Sequence, residues 1–438
     1  MKGYKLRLIL LSFLEFAVWG AYLTSQGRYL AGVGFGEKIG MFYAIQGIVS
    51  IFMPAVMGII ADKWIPAQRL LGICHLVAGA AMIGAGIYGV SAGEAVQYGT
   101  LFGLYAVSIA FFMPTIAISN SVAYTILEKA GKDPVKDFPP IRVWGTVGFI
   151  CSMWFVDLVH FRGAAMQETS MQYVVSGALS ILLALYTLTL PECPVNRSSE
   201  KKSLVDAMGL RAFTLFKQRK MAVFFIFSML LGVALQITNG FANPFLADFG
   251  NLAEYQGTFG VEHSNMLISL SQISETLCIL LIPFFLKRYG IKNVMLIAML
   301  AWVLRFGFFA VGNPGSGVWL IILSMIVYGV AFDFFNISGS LFVNETTDKS
   351  IRSSAQGLFM LMTNGIGAAA GTIGAQAVVN ALVNSHRVPG VDGIIDWHAV
   401  VAGWSHAWWL FAAYALIVAI LFAILFRYKY QRPQNENK

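Results

Sequence analysis

Long apolar stretches alternate with short polar segments along almost the whole chain of 438 residues. The stretches are long enough for helices that cross a hydrocarbon core, which takes about 20 residues. The pattern predicts twelve transmembrane helices, six on each side of a charged segment at 191–219. The first six are expected at 7–30, 40–61, 68–89, 97–126, 139–161 and 171–190, and the second six at 220–247, 264–286, 292–311, 316–342, 354–383 and 405–427.

The composition supports a membrane protein, since 57% of the residues are hydrophobic and only 12% are charged. Soluble domains carry about 25% charged residues, because their surface must be hydrated. We therefore expect an all-α membrane protein with three parts. These are an N-terminal six-helix bundle at 1–190, a cytoplasmic linker at 191–219, and a C-terminal six-helix bundle with a short cytoplasmic tail at 220–438.

The positions of Lys and Arg predict the orientation in the membrane. With a cytoplasmic N-terminus, 24 of the 30 basic residues fall in cytoplasmic segments, and only Arg28, Lys38, Arg162 and Arg387 fall on the other side. Such an excess is typical of the cytoplasmic side, so both termini are predicted to be cytoplasmic. The net charge of +8 comes from basic residues scattered over several loops, which does not indicate a nucleic-acid partner.

A basic turn recurs at the same place in each half. The run Gly58-Ile-Ile-Ala-Asp62-Lys63 follows the second helix, and Lys287-Arg288-Tyr-Gly-Ile-Lys292 follows the eighth. Paired six-helix halves that rock about a central site are typical of the major facilitator fold, whose loop signature the first run partly resembles. An ordinary solvated turn remains the alternative interpretation of Asp62 and Lys63. The four cysteines and six histidines are dispersed, so no disulfide, metal site or cofactor is predicted.

Polar side chains inside the apolar spans are the candidate functional groups, because each is costly in a membrane unless it serves packing or a pathway. Several are spaced three or four residues apart and therefore share a helix face. The candidates are Glu15 and Trp19; Arg142, Thr146 and Phe149; Gln236 and Asn239; Gln272 and Glu275; and Asp333 and Asn336 beside an aromatic stripe of Tyr328, Phe332 and Phe335.

These groups favour recognition over covalent chemistry. Amides and carboxylates can bind hydroxyl groups and base edges, aromatic faces can stack on a flat ring, and a buried carboxylate can carry a proton. The sequence contains no hydrolase, metalloprotease or P-loop motif, so an enzyme is not expected. The alternatives are interhelical hydrogen bonding for the amides, packing for the aromatic stripe and an interfacial position for Arg142. Arg305 is expected to pair with a neighbouring carboxylate. Glu15 could be a protonation site, a substrate contact or a structural acid.

Four runs carry a specific resemblance that extends from Phe13 to about Tyr428. They are Asp137-Phe-Pro-Pro-Ile-Arg-Val-Trp-Gly-Thr-Val-Gly-Phe149, Phe225-Ile-Phe-Ser-Met-Leu-Leu-Gly232 with Gln236-Ile-Thr-Asn239, Ser271-Gln-Ile-Ser-Glu-Thr276, and Tyr328-Gly-Val-Ala-Phe-Asp-Phe-Phe-Asn-Ile-Ser-Gly339. The chain thereby resembles the nucleoside:proton symporter family of the major facilitator superfamily. Within that family it looks most like the bacterial nucleoside permeases and less like the xanthosine permeases.

The resemblance implies proton-coupled import of nucleosides by alternating access. Its implied substrate-binding residues are Arg142, Thr146, Phe149, Gln236, Asn239, Gln272, Glu275, Tyr328 and Phe332. Asp333 is the candidate for proton coupling, with Glu275 and Glu15 as further candidates. Glu15 departs from the nucleoside permease that the chain most resembles, which has a neutral glutamine there, although some members of the family carry an acid.

The expected partners are a nucleoside, a proton and membrane lipid, for a monomer in the bacterial inner membrane. A sugar or nucleobase symporter, and a channel or membrane sensor, remain alternatives. Preference for purine or pyrimidine nucleosides does not follow from the sequence.

Overall fold

The computed structural model describes residues 3–194, 210–348, 351–390 and 393–428, and these are helical nearly throughout. The predicted linker residues 195–209 lie outside the described part. The α-helices are α1 Tyr4–Gly20, α2 Gln26–Gly32, α3 Ile39–Lys63, α4 Ala67–Ala92, α5 Tyr98–Phe112, α6 Thr115–Lys129, α7 Pro134–Asp137, α8 Pro139–Leu158, α9 Met171–Thr187, α10 Arg219–Leu235, α11 Ile237–Asp248, α12 Phe259–Glu262, α13 Ser264–Ile279, α14 Ile282–Val311, α15 Val318–Thr346, α16 Arg352–Met360, α17 Ala368–Leu382 and α18 Trp397–Leu425. A π-helix, Leu361–Gly367, joins α16 to α17, and an antiparallel hairpin pairs β1 His160–Phe161 with β2 Ala164–Ala165.

The prediction of an all-helical membrane protein is confirmed. Within the described residues, nine helical segments are long and apolar enough to cross a membrane, and α9 is a shorter apolar helix. Both α1 and α13 carry several polar residues, and neither is among the nine. The last span begins at Trp397, upstream of its predicted start at 405. Lys63 ends α3 as the predicted turn requires, whereas the side chain of Asp62 lies outside the described part.

Four predicted spans are interrupted rather than continuous. A turn at 21–25 separates α1 from α2, Pro114 separates α5 from α6, Gln236 separates α10 from α11, and residues 280–281 separate α13 from α14. Proline has no N–H to continue the hydrogen-bond ladder. The predicted basic turn lies inside α14, where Gly290 adopts φ 74° and kinks the helix. This left-handed conformation is open to glycine at no steric cost.

Close helix crossings assemble each half. Helices α1 and α8 cross so tightly that a Cβ at Gly148 would overlap the carbonyl oxygen of Phe13. In the second half, a Cβ at Gly232 would likewise overlap the backbone of Thr363 in the π-helix. Small residues let helix backbones approach in a membrane, where van der Waals packing replaces the hydrophobic effect as the main attraction.

Polar contacts join the two halves at one end of the molecule. Thr24 donates a hydrogen bond to Asn265 Oδ1 at 2.5 Å, and Arg28 binds the Val261 carbonyl oxygen at 2.7 Å. Asp157 at the end of α8 accepts a hydrogen bond from the Met266 N–H at 3.0 Å and contacts His263 Nδ1 at 2.6 Å. This end carries the hairpin and the loops that follow α2, α8 and α11, and it is closed.

Candidate functional site

A cavity of about 630 Å³ lies between the two halves. Its size falls in the range of small-molecule sites, about 300–1,000 Å³. Several irregular helix segments contribute to its wall, including Met113 before Pro114, Gln236 between α10 and α11, and Leu361 and Asn364 of the π-helix. Interrupted helices leave polar backbone groups free where they line a cavity, which is typical of transporter binding sites.

The structure brings the nine predicted substrate-binding residues around this one cavity. One group comes from α8 in the first half, and the others come from the α10–α11 break, α11, α13 and α15 in the second half. They are Arg142, Thr146 and Phe149; Gln236 and Asn239; Gln272 and Glu275; and Tyr328 and Phe332. Phe335, which the spacing grouped with Tyr328 and Phe332, is not among the residues that line the cavity.

The polar wall offers both donors and acceptors. Asn239 Nδ2 donates to Gln236 Oε1 at 2.9 Å, which fixes the two amides relative to each other. Within the described residues, the side chains of Gln272 and Glu275 have no hydrogen-bond partner, and Thr276 bonds the Gln272 carbonyl oxygen instead of its side chain. These amide and carboxylate groups are therefore available to a ligand, and leaving them unpaired in a dry site would be costly.

Aromatic rings form the apolar wall. Tyr328 and Phe332 are stacked with centroids 5.6 Å apart and an interplanar angle of 16°. Trp19 meets Phe149 edge-on, with centroids 6.3 Å apart and an angle of 81°. The cavity therefore has flat aromatic faces close to amide and carboxylate groups, an arrangement that suits a ligand with both a planar ring and hydroxyl groups.

The cavity holds one cationic and one acidic side chain among its described lining residues, Arg142 and Glu275. They come from opposite halves and interact electrostatically, without a direct ion pair. The Arg142 guanidinium lies over the Phe16 ring, with Cζ 3.6 Å from its centroid. Arg142 is therefore held inside the cavity, and the alternative that it merely reaches the membrane interface does not fit its position.

Asp333 lies directly behind the aromatic wall and is not among the cavity-lining residues. Its side chain is 5% exposed, and its Oδ2 has no hydrogen-bond partner within the described residues. It is close enough to Glu275 and Tyr328 for electrostatic interaction. A buried carboxylate without a cationic partner is costly when charged, which favours the protonated form.

Glu15 is separate from the cavity, although Trp19, one turn later, lines it. The Glu15 carboxylate is fully buried and contacts His75 Nε2 at 2.9 Å and the Thr115 hydroxyl at 2.6 Å. The sequence leaves three interpretations of Glu15 open. The geometry does not support the one in which Glu15 contacts a ligand in this cavity.

Gln46 is a cavity-lining residue that the sequence reasoning missed. Its Nε2 donates to the Tyr105 hydroxyl at 2.8 Å, and its Oε1 accepts from Trp19 Nε1 at 3.4 Å. The available signal was a lone amide within the apolar run 40–61. A single polar residue, without a polar neighbour three or four positions away, indicates a functional helix face less strongly than a pair does.

Arg305 has neutral partners instead of the expected carboxylate. Its guanidinium donates to the Ser324 carbonyl oxygen at 2.8 Å and to the Thr238 hydroxyl at 3.1 Å. Its Cζ also lies 4.4 Å from the centroid of Tyr328. Within the described residues no acid pairs with it, so this cation supports the back of the aromatic wall.

Comparison with known proteins gives a consistent result over the whole chain. A sequence profile of the family described as "Nucleoside H+ symporter" matches residues 1–431. The chain is 48% identical to the xanthosine permease of Escherichia coli (strain K12), over 99% of this chain and 98% of that protein. It is 46% identical to the nucleoside permease NupG of the same organism, over 98% of this chain and 97% of that protein. The expectation that xanthosine permeases are more distant is therefore wrong.

Solved structures agree with the sequence comparison. The crystal structure of the nucleoside transporter NupG superposes with a TM-score of 0.84 at 45% identity, covering 98% of this chain and all of that chain. A D-xylose-proton symporter superposes with a TM-score of 0.66 at 12% identity, covering 95% of this chain and 96% of that chain. The second likeness concerns the fold alone, which is that of major facilitator transporters.

Proposed function

The chain belongs to the nucleoside H+ symporter family, and on that premise we propose that it imports nucleosides with protons, binding them in the cavity between its two halves. The observation that carries the proposal is the convergence of nine polar and aromatic residues from both halves on this cavity. A nucleoside is half polyol and half heteroaromatic, so it needs both kinds of surface. Alternating access about such a central site is the expected mode of transport.

Each group of lining residues has a role in this proposal. Gln236, Asn239, Gln272 and Glu275 bind the ribose hydroxyls and part of the base through their amide and carboxylate groups. The flat rings of Phe149, Tyr328 and Phe332 enclose the base. Arg142 and Thr146 complete the site from the first half, so that the ligand contacts both halves at once. Contact with both halves is what couples binding to their relative movement.

Asp333 is the proposed carrier of the transported proton, with Glu275 as its partner. Asp333 is buried without a cation beside it, and Glu275 interacts with it electrostatically from inside the cavity. Two acids so placed disfavour simultaneous ionisation. Protonation before nucleoside binding removes this repulsion, and release of the proton on the other side restores it. Glu15 does not line the cavity and contacts His75 instead.

The structure corresponds to an inward-facing state in this proposal. Polar contacts close the end that carries Arg28 and Asp157, while Pro54, Gly357 and Met360 line the other end of the cavity. We assign the closed end to the outside because most basic residues lie at the other end. The assignment keeps twelve membrane-spanning helices, by adding α1 with α2, α9 and α13 to the nine long apolar segments, and places both termini in the cytoplasm.

The domain division follows from the same assignment. Residues 1–190 form the first bundle, 191–219 the cytoplasmic linker and 220–438 the second bundle with its tail. Large apolar side chains such as Leu185 of α9 and Ile417 of α18 are exposed on their helices, which suits contact with lipid. We propose that the protein works as a monomer in the bacterial inner membrane.

Uptake of radiolabelled uridine into proteoliposomes with an imposed inward proton gradient tests this function. Uphill uptake that collapses with an uncoupler is expected, and Asp333→Asn should abolish accumulation while preserving uridine exchange. Competition by free ribose or free uracil as strong as that by uridine would favour a sugar or nucleobase symporter instead. If neither uridine nor any purine nucleoside is accumulated by folded protein, the proposal is wrong.

A further inference from the structure

Glu15 and His75 form a buried cluster that ties four helices of the first half together. Both side chains have 0% exposure, and Glu15 Oε2 lies 2.9 Å from His75 Nε2. Thr115, the first residue of α6, places its hydroxyl 2.6 Å from Glu15 Oε1. Ser180 of α9 lies 2.9 Å from His75 Nδ1. Glu15 belongs to α1 and His75 to α4, so each of the four helices contributes one side chain.

The hydrogen bonds determine where protons lie in this cluster. The Ser180 hydroxyl donates its single hydrogen to the His75 carbonyl oxygen at 2.9 Å. With its hydrogen on that carbonyl, the Ser180 oxygen accepts from a hydrogen on His75 Nδ1. The contact between His75 Nε2 and Glu15 Oε2 then needs a second hydrogen, either on the imidazole or on the carboxyl group. In both cases the two residues share one proton and the pair is neutral overall.

The contact between His75 Nε2 and Glu15 Oε2 depends on this shared proton. Without it, a carboxylate would face the lone pair of His75 Nε2 in a site closed to water, and one partner would remain as an uncompensated charge. The titratable or charged groups that interact with Glu15 from the packed helices are His75 and Cys74 of α4 and Arg142 of α8. Phe16 lies beneath the Arg142 guanidinium and lies next to Glu15 in the chain.

The cluster is mechanically connected to the cavity through α1. Phe16 follows Glu15 directly and Trp19 lies one turn later, and both line the cavity. Phe16 holds the guanidinium of Arg142, and Trp19 donates to Gln46. A rotation of α1 about its axis would therefore move an aromatic wall and the cavity's cation together. Anchoring Glu15 in the protein interior prevents that rotation.

We propose that Glu15 and His75 are positioning residues whose shared proton stays in place throughout transport, and that they hold the Phe16–Trp19 face of α1 against Arg142. The inference rests on the proposed function and deepens it, because it removes Glu15 from the transported-proton pathway. Glu15 affects substrate through Phe16 and Arg142 and does not touch it.

Two substitutions of Glu15 separate positioning from proton transport. In Glu15→Gln, the amide can donate to neutral His75 and accept from Thr115, so every hydrogen bond survives without a shared proton. Its proton:uridine ratio should stay unchanged, and its KM for uridine should stay within about twofold of the parent. Glu15→Ala removes the anchor, and we expect KM to rise about fivefold, the equivalent of one hydrogen bond, with the ratio unchanged. Glu15→Gln also keeps the test decisive if Glu15→Ala does not fold.

The measurement is uridine uptake in proteoliposomes, with the proton flux recorded by a trapped pH indicator. Ser228→Ala is the matched control, since this buried hydroxyl bonds only the Phe224 carbonyl oxygen of its own helix at 2.8 Å. Loss of accumulation in Glu15→Gln would overturn the proposal and make Glu15 a proton carrier. An unchanged KM in Glu15→Ala would overturn it in favour of a purely structural role. Failure of the proposed function would instead appear in the unsubstituted protein, as absence of nucleoside uptake.

Discussion

The guanidinium group of Arg142 stacks on the ring of Phe16, with Cζ 3.6 Å from the ring centroid. An aromatic face, and not a carboxylate, therefore holds this cation in the first half of the protein. Its opposite charge in the cavity, Glu275, belongs to the second half. Because the two halves must move relative to each other during transport, a cation fixed to one half and attracted by the other can respond to what binds between them.

Phe16→Leu should weaken nucleoside binding without altering proton coupling. The leucine side chain fills much of the space but lacks the aromatic face that orients Arg142, and a cation–π contact is worth about 1 kcal/mol. We expect KM for uridine to rise about fivefold in proteoliposome uptake. Phe155→Leu on α8 is the matched control, because Phe155 is 48% exposed on the outer surface of the helix. An equal rise in both variants would contradict the role of the stacking contact.

Phe332→Leu should lower affinity for nucleosides more than for free ribose. Phe332 stacks with Tyr328 at 5.6 Å and lines the cavity, so its loss removes a flat face that encloses the base. An aromatic contact of about 0.5–1.5 kcal/mol predicts a rise of about two- to twelvefold in the dissociation constant, measured by titration calorimetry on the purified protein.

The neighbouring Phe335 provides the matched control for that substitution. It packs against Phe359, with centroids 6.2 Å apart, and is 1% exposed away from the cavity. Phe335→Leu should lower the melting temperature while leaving uridine affinity unchanged. If Phe335→Leu instead lowered affinity and Phe332→Leu did not, the aromatic wall would be wrongly assigned.

The sequence predicts most of the spans and the grouping of the candidate residues for a simple physical reason. Membrane-crossing segments need long apolar runs, and polar residues three or four apart lie on one helix face. The same logic could not separate neighbours in α15, where Phe332 faces the cavity and Asp333 lies behind it. Spacing defines which residues share a face, but the packing of other helices decides which face meets the cavity.

The interruptions of the helices were not predictable in the same way. Residues 361–367 contain no proline, yet they form a π-helix where Gly367 packs against Met229 and Gly232. Likewise, the pairing of Glu15 with His75 joins residues 60 positions apart, which no local pattern connects. Both features depend on contacts between distant helices, so they appear only in the folded chain.

Gly148→Ala should destabilise the protein strongly, because its Cβ would overlap the Phe13 carbonyl oxygen where α8 crosses α1. The helices must separate to admit the methyl group, at a cost of about 1–3 kcal/mol. Gly103→Ala in α5 is the control, since no atom lies within 4 Å of its added Cβ. We expect a lower melting temperature for Gly148→Ala and an equal or higher one for Gly103→Ala, where alanine favours helix. Equal melting temperatures would show that the crossing is looser than described.

A row of amides on α17 binds the first half at the closed end, which we assigned to the outside, and its removal should open that end. Gln376 donates to the Gly36 carbonyl oxygen at 2.9 Å and accepts from the Gly40 N–H at 2.6 Å, so it binds the start of α3 in the other half. Gln376→Ala loses both bonds. We expect the equilibrium between the closed and the outward-open state to shift toward the open state by about 1–3 kcal/mol. Labelling of Thr24→Cys by a membrane-impermeant maleimide added outside should then become faster, since Thr24 is 2% exposed in the closed state.

Ser385→Ala is the matched control, because among the described residues Ser385 bonds only the Ala381 carbonyl oxygen within its own half. Unchanged labelling in Gln376→Ala would mean that the contacts of Arg28 and Asp157 suffice to keep this end closed.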